Sequence, residues 1–422
     1  MVIVSRGISL MEQNAGRKVA FDSNWGNKME QKSMLICRYL SICEPDVIDG
    51  FRKNGYVVDE FNEKMKEPDY DTVYMKKLSE VILKGNYEFV FSINFFPIIS
   101  KLCNVLKIPY VCWIVDSPVF QMYSDALKGQ YNRVFIFDRA LYEQYYPKNP
   151  EGIFHLPLAA NPDYFDSVCE TITPAEKVKY GKDIAFIGSL YTEKCPYNKI
   201  KVLPEYLKGY LESIMTAQLK IYGYNFLPEV LTPEIVKQFK EVVSWEASPE
   251  DYEIDDAMFI ADEYLGVKIS EMERIEMLNL LAEHFPVHFY TQSDTSCLKD
   301  VIVCGSAESR IEMPKIFHCS KINLNPTAKS IKTGISQRIW DIMGAGGFVM
   351  SNYQTELFEH FEPGVDIEYY GSMEELVHKC AYYLEHDEER REIAKNGYEK
   401  VKKYHTYEIR IKEMLEIVRN SF

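Results

Sequence analysis

The chain has 422 residues, of which 46% are hydrophobic and 26% are charged, and its formal net charge at pH 7 is −15. This length favours two domains, because a single hydrophobic core rarely grows so large. The acidic balance argues against a sequence-independent nucleic-acid binder, which needs a basic surface, so we expect no nucleic-acid partner. The ten cysteines form no C-x-x-C pair, which favours free thiols in a reducing compartment over disulfides or zinc.

No targeting or membrane-spanning segment is predicted. The first ten residues, MVIVSRGISL, are too short and too polar for a secretory signal. No uninterrupted apolar run approaches the length of a membrane span. We therefore expect a cytoplasmic protein and leave peripheral membrane contact open. Residues 1–33 form an N-terminal extension of open role, which could hold a hairpin or an extra edge strand.

From residue 34 the chain alternates short apolar runs with segments of helical spacing, as in a parallel, doubly wound α/β sheet. The predicted strands of this first domain, residues 34–165, are MLICRY, YVVDEF, YEFVFSIN, PYVCWIVD, RVFIFD and IFHLP. Residues 157–168 contain two prolines and no clear period, which indicates a connection between domains. We place the linker at residues 166–182.

A second series of strands predicts a second domain at residues 183–400. It begins with KDIAFIGSLY and continues with VHFYT, DVIVCG, INLN, FVMS and VDIEYY. Residues 204–283 between the first two of these strands have mostly helical spacing, and we interpret them as an insertion. Residues 401–422 are predicted to be helical.

The segment from Ile322 to Asn352 is the strongest candidate for ligand binding. It predicts a strand, a polar loop, a helix and a glycine-rich turn into another strand, and parallel sheets bind ligands at the carboxyl ends of their strands. Helix N-termini with nearby cations suit phosphates. Arg338 and Asp341 lie on one helix face, where they could contact phosphates and ribose or form an intrahelical ion pair. Lys315, Lys329 and Lys332 are nearby cations, although each alone is most often a solvated surface lysine.

Polar residues also end two consecutive strands of the first domain. Asp116 in WIVDSP could be a general base or accept a hydrogen bond from a ligand hydroxyl, or it could simply cap the strand end with Ser117. Asn94 in FSINFFP could orient an acceptor or serve only a turn. Trp113, which precedes Asp116 on the same strand, is a further candidate for acceptor binding.

Several cofactor motifs are missing. The sequence contains no G-x-G-x-x-G turn, no P-loop and no H-E-x-x-H, which argues against nicotinamide and flavin enzymes, P-loop NTPases and zinc hydrolases. One D-x-D is present, formed by Asp69 and Asp71. Such a pair can hold a cation that bridges a diphosphate. Because it directly precedes a predicted helix, helix capping explains it at least as well.

Nine segments in the same order resemble the bacterial CgeB-like (spore-maturation-type) glycosyltransferases, which carry a group-1 glycosyl transferase C-terminal domain. The segments are FVFSINFFPIISKLC, IPYVCWIVDSP, RVFIFD, HLPLAANPDYFD, IAFIGSLY, LPEYLKGYLESIMTAQLKIYGYNF, MPKIFHCSKINLNPT, GISQRIWDIMGAGGFVMSN and KKYHTYEIRIKEML, and the similarity spans roughly residues 34–415. It implies a GT-B architecture, with two Rossmann-like domains facing a cleft. The second domain would hold a nucleotide-sugar donor and the first the acceptor, and the last helix would cross back to the first domain.

The resemblance also implies roles for individual residues. Gly188 and Ser189 would approach the donor diphosphate, and Arg338 falls on the basic position of the motif. Asp341 stands where many relatives have the glutamate that holds the ribose, and Asp116 falls on the acidic position of W-x-x-D-x-P. The complete set of predicted donor-binding residues is Gly188, Ser189, Lys315, Asn325, Thr327, Gly334, Ser336, Arg338 and Asp341. Because members of this fold usually need no metal, we expect no cofactor besides the nucleotide sugar as co-substrate.

The leading hypothesis is a glycosyltransferase that moves a hexosyl or N-acetylhexosaminyl unit from a nucleoside-diphosphate sugar to a protein or surface-polysaccharide acceptor. Asp116 would act as the base that activates the acceptor hydroxyl. Two alternatives stay open: a nucleotide-sugar epimerase or hydrolase of the same architecture, and a non-catalytic protein whose two lobes close on a small ligand.

Overall fold

Two six-stranded parallel sheets form the framework of the protein. The computed structural model describes residues 32–243 and 252–421; the hairpin or edge strand considered for residues 1–33 therefore falls almost wholly outside the described residues. The first sheet contains β1 (Ser33–Cys37), β2 (Val57–Phe61), β3 (Val90–Ile93), β4 (Tyr110–Ile114), β5 (Asn132–Ile136) and β6 (Ile153–His155). The second contains β7 (Ile184–Ile187), β8 (Val287–Tyr290), β9 (Ile302–Val303), β10 (Ile322–Asn325), β11 (Val349–Asn352) and β12 (Glu368–Tyr370). These sheets confirm the predicted α/β class.

The strand order of each sheet reverses at one topological switch point, on either side of which successive strands are added in opposite directions. In the first sheet the order is β2-β1-β3-β4-β5-β6, so the change lies between β1 and β3, where Leu35 is in register with Val90. In the second the order is β12-β11-β10-β7-β8-β9, so it lies between β7 and β10, where Ile184 is in register with Ile322. Open α/β sheets bind ligands outside the carboxyl ends of the strands at this switch point.

Helices cover the sheets and connect their parallel strands. The first part of the chain contains α1 (Glu44–Lys53), α2 (Thr72–Lys84), α3 (Pro97–Leu106), α4 (Arg139–Tyr145), α5 (Pro162–Cys169) and α6 (Pro174–Tyr180). Between β7 and β8 lie α7 (Glu205–Leu219), α8 (Leu227–Val230), α9 (Pro233–Val242), α10 (Asp256–Phe259), a π-helical segment (Ile260–Gly266) and α11 (Val267–Ala282). The remaining helices are α12 (Glu312–Cys319), α13 (Gln337–Gly344), α14 (Leu357–His360), α15 (Met373–Glu385), α16 (Asp387–Tyr404) and α17 (Tyr407–Asn420).

The connection between the sheets is more ordered than its sequence suggests. The segment 157–168 lacks a helical period, yet Pro162–Cys169 forms α5 and Pro174–Tyr180 forms α6. Helix α5 begins there because the side chain of Asn161 accepts a hydrogen bond from the N–H of Tyr164 at 3.2 Å and Pro162 occupies the first turn. Capping therefore outweighs the missing periodicity.

The last helix returns to the first sheet. Helix α17 packs closely against α1, since a Cβ added at Gly50 would lie 2.5 Å from Cδ1 of Ile411 and 3.2 Å from the carbonyl oxygen of Tyr407. Residues of β1, β4, α5, α13 and α17 belong to one continuous buried apolar cluster. Because that cluster crosses the boundary between the sheets, hydrophobic burial fixes the two halves against each other. In the described part of the chain, every helix is too short or too polar to cross a membrane.

Candidate active site

Loops at the carboxyl ends of the two sheets contact each other. The loop between β10 and α13 lies against the first domain, where the hydroxyl groups of Ser330 and Ser117 each donate to the other's backbone carbonyl at 2.7 Å. The carboxylate of Asp138 accepts hydrogen bonds from the N–H groups of Lys332 at 2.6 Å and Thr333 at 3.2 Å. Gly334 packs on the same residue, since an added Cβ would lie 2.9 Å from Cα of Asp138. Gly334, predicted to contact the donor, thus lies at the contact between the domains.

Asp116 is exposed at the end of β4. Its Oδ2 accepts a hydrogen bond from Nδ2 of Asn94 at 2.7 Å, and Oδ1 of Asn94 accepts from the N–H of Val115 at 3.0 Å. Asn94 has a φ of 57°, a left-handed conformation that asparagine adopts more readily than most residues. The amide therefore orients the carboxylate of Asp116 through one oxygen. Within the described residues the other oxygen accepts no hydrogen bond, so it can face a substrate hydroxyl.

Trp113, predicted to contact the acceptor, lies in the hydrophobic core. Its side chain is fully buried, and its Nε1 donates to the backbone carbonyl of Leu156 at 3.2 Å. The indole meets the ring of Tyr407 edge-on, with 6.0 Å between the ring centroids. Because β4 is buried on both faces, residues of this strand belong to the core whichever way they point.

Gly188 and Ser189 follow β7 at the switch point of the second sheet. The N–H of Gly188 donates to the carbonyl of Tyr290 at 3.1 Å, and Oγ of Ser189 accepts from the N–H of Tyr191 at 2.9 Å. An added Cβ at Gly188 would lie 2.8 Å from the ring of Phe186, so the backbone here has no room for a side chain. The loop is thereby fixed beside the end of β10.

Arg274 on α11 joins the two strand ends that flank this switch point. Its Nη1 donates to the carbonyl of Ser189 at 2.5 Å and its Nη2 to the carbonyl of Pro326 at 2.9 Å. The guanidinium lies 4.4 Å from the ring centroid of Tyr191, within cation–π range. Among the described residues its buried Nε has no hydrogen-bond partner. The sequence gives no signal for this role, because the partners are 85 and 52 residues away along the chain.

Arg338 lies close to Arg274. Its Nη1 is 3.6 Å from Oδ2 of Asp341 and 3.5 Å from Sδ of Met313, so the intrahelical ion pair considered from the sequence is present. Burial lowers the pKa of Arg338, and the positive charge of Arg274 lowers it further. Of these two guanidinium groups, which repel each other, Arg338 is paired with Asp341, and together they provide positive charge suited to an anion.

Asp341 is held in a hydrogen-bond network. Its Oδ1 accepts from Nε2 of Gln337 at 2.9 Å, and the same amide donates to the carbonyl of Ala159 at 2.8 Å. The hydroxyl of Tyr407 donates to Oε1 of Gln337 at 3.2 Å. Burial raises the pKa of Asp341 to about 6, although Arg338 and Gln337 act in the opposite direction. The acid therefore changes charge near neutral pH.

A small cavity brings Asp341 next to the first domain. Its lining includes Ile42, Cys43, Asp46, Arg310, Gln337, Asp341 and Tyr407. Burial raises the pKa of the Cys43 thiol to about 12, and the carboxylates of Asp116, Asp46 and Asp341 raise it further. Asp116 and Asp341, which come from different domains, therefore lie around the same thiol.

An ion pair closes this cavity across the domain boundary. Nη1 of Arg310 lies 2.6 Å from Oδ2 of Asp46, whose Oδ1 accepts from Nδ2 of Asn161 at 2.8 Å. The guanidinium of Arg310 lies 3.6 Å from the ring centroid of Tyr164. Asp46, Arg310 and Gln337 were not predicted from the sequence, since nothing in their local pattern distinguishes them from ordinary helix and loop residues.

Four residues predicted to contact the donor have partners within the protein. Lys315 is nearly buried and its Nζ lies 2.6 Å from Oε1 of Glu176 on α6, so its charge is already paired. Asn325 and Thr327 are buried, and Nδ2 of Asn325 donates to Oγ1 of Thr327 at 2.9 Å. These side chains stabilise the end of β10. Ser336 occupies the N-cap position of α13, and its hydroxyl donates to Oδ1 of Asn325 at 3.2 Å.

The other two lysines of this region, Lys329 and Lys332, form contacts within the protein and are not solvated surface residues. Nζ of Lys329 lies 3.5 Å from Oε2 of the buried Glu273 and 3.9 Å from the ring centroid of Tyr222, and burial lowers the pKa of this lysine. Nζ of Lys332 lies 3.3 Å from Oδ2 of Asp262 and donates to Gln144 at 2.9 Å. Both lysines therefore fix the loop between β10 and α13.

The D-x-D pair has other partners in this structure. Oδ1 of Asp71 accepts from the N–H of Tyr74 at 2.9 Å and caps α2, while Oδ1 of Asp69 accepts from the hydroxyl of Tyr252 at 2.6 Å. Over residues 32–243 and 252–421, no three histidine, cysteine or acidic side chains are grouped so that they could hold a metal ion. Helix capping thus accounts for Asp71.

Comparison with known protein families gives one match in the second domain. Residues 278–416 match the model of a family described as glycosyl transferase-like. The matched segment contains Arg338, Asp341 and most of α17, but it does not contain Asp116 or Gly188, which precede it. A comparison with curated protein sequences gives no match.

Solved structures show the same architecture over nearly the whole chain. Anabaena HepE (Alr3699) in complex with UDP and glucose shares 9% identity at a TM-score of 0.54, covering 92% of this chain and 100% of its own. Sucrose-phosphate synthase from Thermosynechococcus elongatus shares 10% identity at a TM-score of 0.50, covering 92% and 98%. The fold is GT-B. The N-terminal domain of Candida albicans trehalose-6-phosphate phosphatase is also similar, at 8% identity and a TM-score of 0.52, covering 95% and 99%.

Proposed function

We propose that this GT-B protein is a glycosyltransferase that moves a sugar from a nucleoside-diphosphate sugar to an acceptor hydroxyl. The observation that carries the proposal is the pair of neighbouring guanidinium groups, Arg274 and Arg338, at the switch point of the second sheet. In the first domain, Asp116 is an exposed carboxylate held by Asn94, and it and Asp341 both act on Cys43, which lines the small cavity with Asp341. Cations in the second domain and a carboxylate in the first suit departure of a diphosphate and activation of a hydroxyl.

On the donor side, substitution at an anomeric carbon releases a nucleoside diphosphate whose negative charge must be stabilised. The guanidinium of Arg274 is fixed by two backbone carbonyls before the substrate arrives, and its Nε has no hydrogen-bond partner in the described part of the chain, so little reorganisation is needed. Asp341 would accept hydrogen bonds from the ribose hydroxyls. A uridine nucleotide is the first choice, because the similar HepE structure holds UDP and glucose. The transferred unit would be a hexosyl or N-acetylhexosaminyl group.

On the acceptor side, Asp116 would remove the proton of the attacking hydroxyl. The carboxylate of Asp116 is exposed, and Asn94 holds only one of its oxygens, so the other can accept that proton. The proposed acceptor is a protein or a surface polysaccharide, as in the CgeB-like enzymes that the sequence resembles. Because guanidinium groups can neutralise the diphosphate, we propose that the reaction needs no metal.

The test follows nucleoside diphosphate release from UDP-, GDP-, ADP- and dTDP-sugars, with and without peptide and oligosaccharide acceptors, in buffer containing EDTA. Release that requires an acceptor supports transfer. Equal release without any acceptor indicates a hydrolase, and a new sugar isomer indicates an epimerase. Binding without turnover, seen by calorimetry, indicates a two-lobed binding protein. Activity that returns only with a divalent cation contradicts metal independence.

A further inference from the structure

The switch point of the first sheet carries an exposed apolar loop. Tyr39, Leu40 and Ile42, which we name the apolar rim, lie between β1 and α1 with exposed fractions of 51%, 83% and 60%. In an open α/β sheet, the crevice between the ends of β1 and β3 is where a ligand binds. Contiguous exposed apolar side chains at such a position mark a binding surface.

The conformation of the apolar rim is held in place. Leu40 has a φ of 65°, a left-handed conformation that bulky residues rarely adopt. The buried carboxylate of Glu44 fixes the loop on both sides, since it accepts from the N–H of Tyr39 at 2.5 Å and from Nε of Arg38 at 2.6 Å. A left-handed leucine that is exposed to solvent destabilises the folded state. Because the surrounding contacts hold Leu40 in this conformation all the same, we expect the conformation to serve a function.

The apolar rim adjoins the proposed catalytic residues. The ring of Tyr39 lies 5.2 Å from the ring of Phe96, two residues after the Asn94 that holds Asp116. Ile42 lines the same cavity as Asp341. The rim therefore continues the wall of the reaction cleft outwards on the acceptor side.

The charges around the rim help to identify its occupant. Asp116 lies close to it, Asp46 is paired with Arg310, and the positive charge of Arg38 is paired with Glu44 and Glu60. These surroundings carry no excess of positive charge, which the anionic headgroups of a membrane would require. A polysaccharide offers mainly hydroxyl groups and would leave Leu40 and Ile42 uncovered, whereas a polypeptide can place an apolar side chain beside a hydroxyl.

We propose that the acceptor is a polypeptide segment in which an apolar side chain adjoins the hydroxyl that receives the sugar. The apolar rim buries that side chain while the hydroxyl reaches Asp116. This inference rests on the proposed function, and it selects the protein acceptor over the polysaccharide. It also gives the exposed, left-handed Leu40 a role in substrate recognition.

The test compares two peptides, acetyl-Gly-Leu-Ser-Leu-Gly amide and acetyl-Gly-Asn-Ser-Asn-Gly amide, by saturation-transfer difference NMR with UDP present. We expect the leucine peptide to bind about tenfold more tightly, a typical gain for burying one such side chain. Leu40→Asn should reduce this ratio below about threefold while leaving UDP affinity unchanged, since asparagine suits a left-handed position. The matched control is Leu83→Asn, which removes a leucine of 71% exposure at the end of α2, on the opposite edge of the sheet, and should preserve the ratio.

Several outcomes would overturn the inference. Equal affinities of the two peptides, or an unchanged ratio in Leu40→Asn, would do so. So would preferential binding of maltoheptaose or of phosphatidylcholine–phosphatidylglycerol vesicles. Stronger binding of the peptide VIVSRGISL, residues 2–10 of this chain, would instead assign the rim to the protein's own N-terminal segment. Because the readout is binding, the two proposals can fail separately. A preference for the leucine peptide without nucleoside diphosphate release would contradict the proposed function but support the apolar rim as a peptide-binding surface. Nucleoside diphosphate release without a peptide preference would support the proposed function and contradict this inference.

Discussion

The two switch points of this protein occupy equivalent places in their sheets but differ in chemistry. At the second, between β7 and β10, the loops are tied together by Arg274, and Arg338 adds a second guanidinium. At the first, between β1 and β3, the chain presents Tyr39, Leu40 and Ile42 to solvent. One crevice is cationic and internally hydrogen-bonded, and the other is apolar and open. The fold supplies two equivalent crevices, and the side chains in each crevice determine whether it suits the donor or the acceptor.

The largest expected effect comes from removing the carboxylate of Asp116 at the end of β4. Asp116→Asn keeps the shape and the contact with Asn94 but cannot accept a proton, so we expect transfer to slow by about 10²–10⁴-fold, the range for general-base catalysis. Donor affinity measured by calorimetry should stay within about 0.5 kcal/mol of the unmodified protein. Asp125→Asn, which removes an exposed acid paired with Lys128 in the same domain, is the control. A loss of donor binding in Asp116→Asn would contradict the assignment as a base.

The fold could be predicted from the sequence because each strand is a short apolar run between helical segments. Residues that contact distant parts of the chain could not. The loop after β10 was interpreted as a phosphate cradle, whereas Ser330 and Lys332 bind Ser117 and Asp138, residues about two hundred positions away. The burial of Trp113 could not be predicted, because strand β4 is apolar along its whole length and is buried on both faces, so its pattern does not show which side chains reach a cleft.

The cationic crevice also depends on Arg274 for its stability. Arg274→Met keeps the length of the side chain but leaves the carbonyls of Ser189 and Pro326 without their donor. Since each unsatisfied group costs roughly 1–3 kcal/mol, we expect the free energy of unfolding to fall by about 3 kcal/mol in urea titrations. Arg391→Met, at a side chain 76% exposed on α16, should change it by less than about 0.5 kcal/mol. Equal effects of the two substitutions would remove Arg274 from the framework of this crevice.

Asp341 should make the stability of the cationic crevice depend on pH. Burial raises its pKa from 3.8 to about 6, so the folded state holds the proton more tightly than the unfolded state. Protonated Asp341 therefore contributes to the free energy of unfolding in full below about pH 4. This contribution, at most about 3 kcal/mol, is lost as the pH rises through about 6. Asp341→Asn stays neutral, and urea titrations at pH 4.5 and 7.5 should show a smaller decrease for it. Asp262 and Glu263, whose pKa values burial raises to about 6 and about 7, will keep part of the slope in both proteins. An unchanged slope would contradict the burial of a charged Asp341.

The smallest expected effect separates the two roles that Arg338 can have. If this side chain contacts the diphosphate, Arg338→Ala should weaken UDP binding by about 1.5–3 kcal/mol, the range for hydrogen bonds to charged groups. If its ion pair with Asp341 at 3.6 Å is its whole contribution, the substitution should leave UDP affinity unchanged. Calorimetry distinguishes these results, and Arg391→Ala, at an exposed arginine on α16, is the control. Arg338→Ala could weaken UDP binding and leave the peptide affinity unchanged. The cationic crevice would then bind the donor independently of the apolar rim, because the two surfaces would contribute separately to the binding free energy.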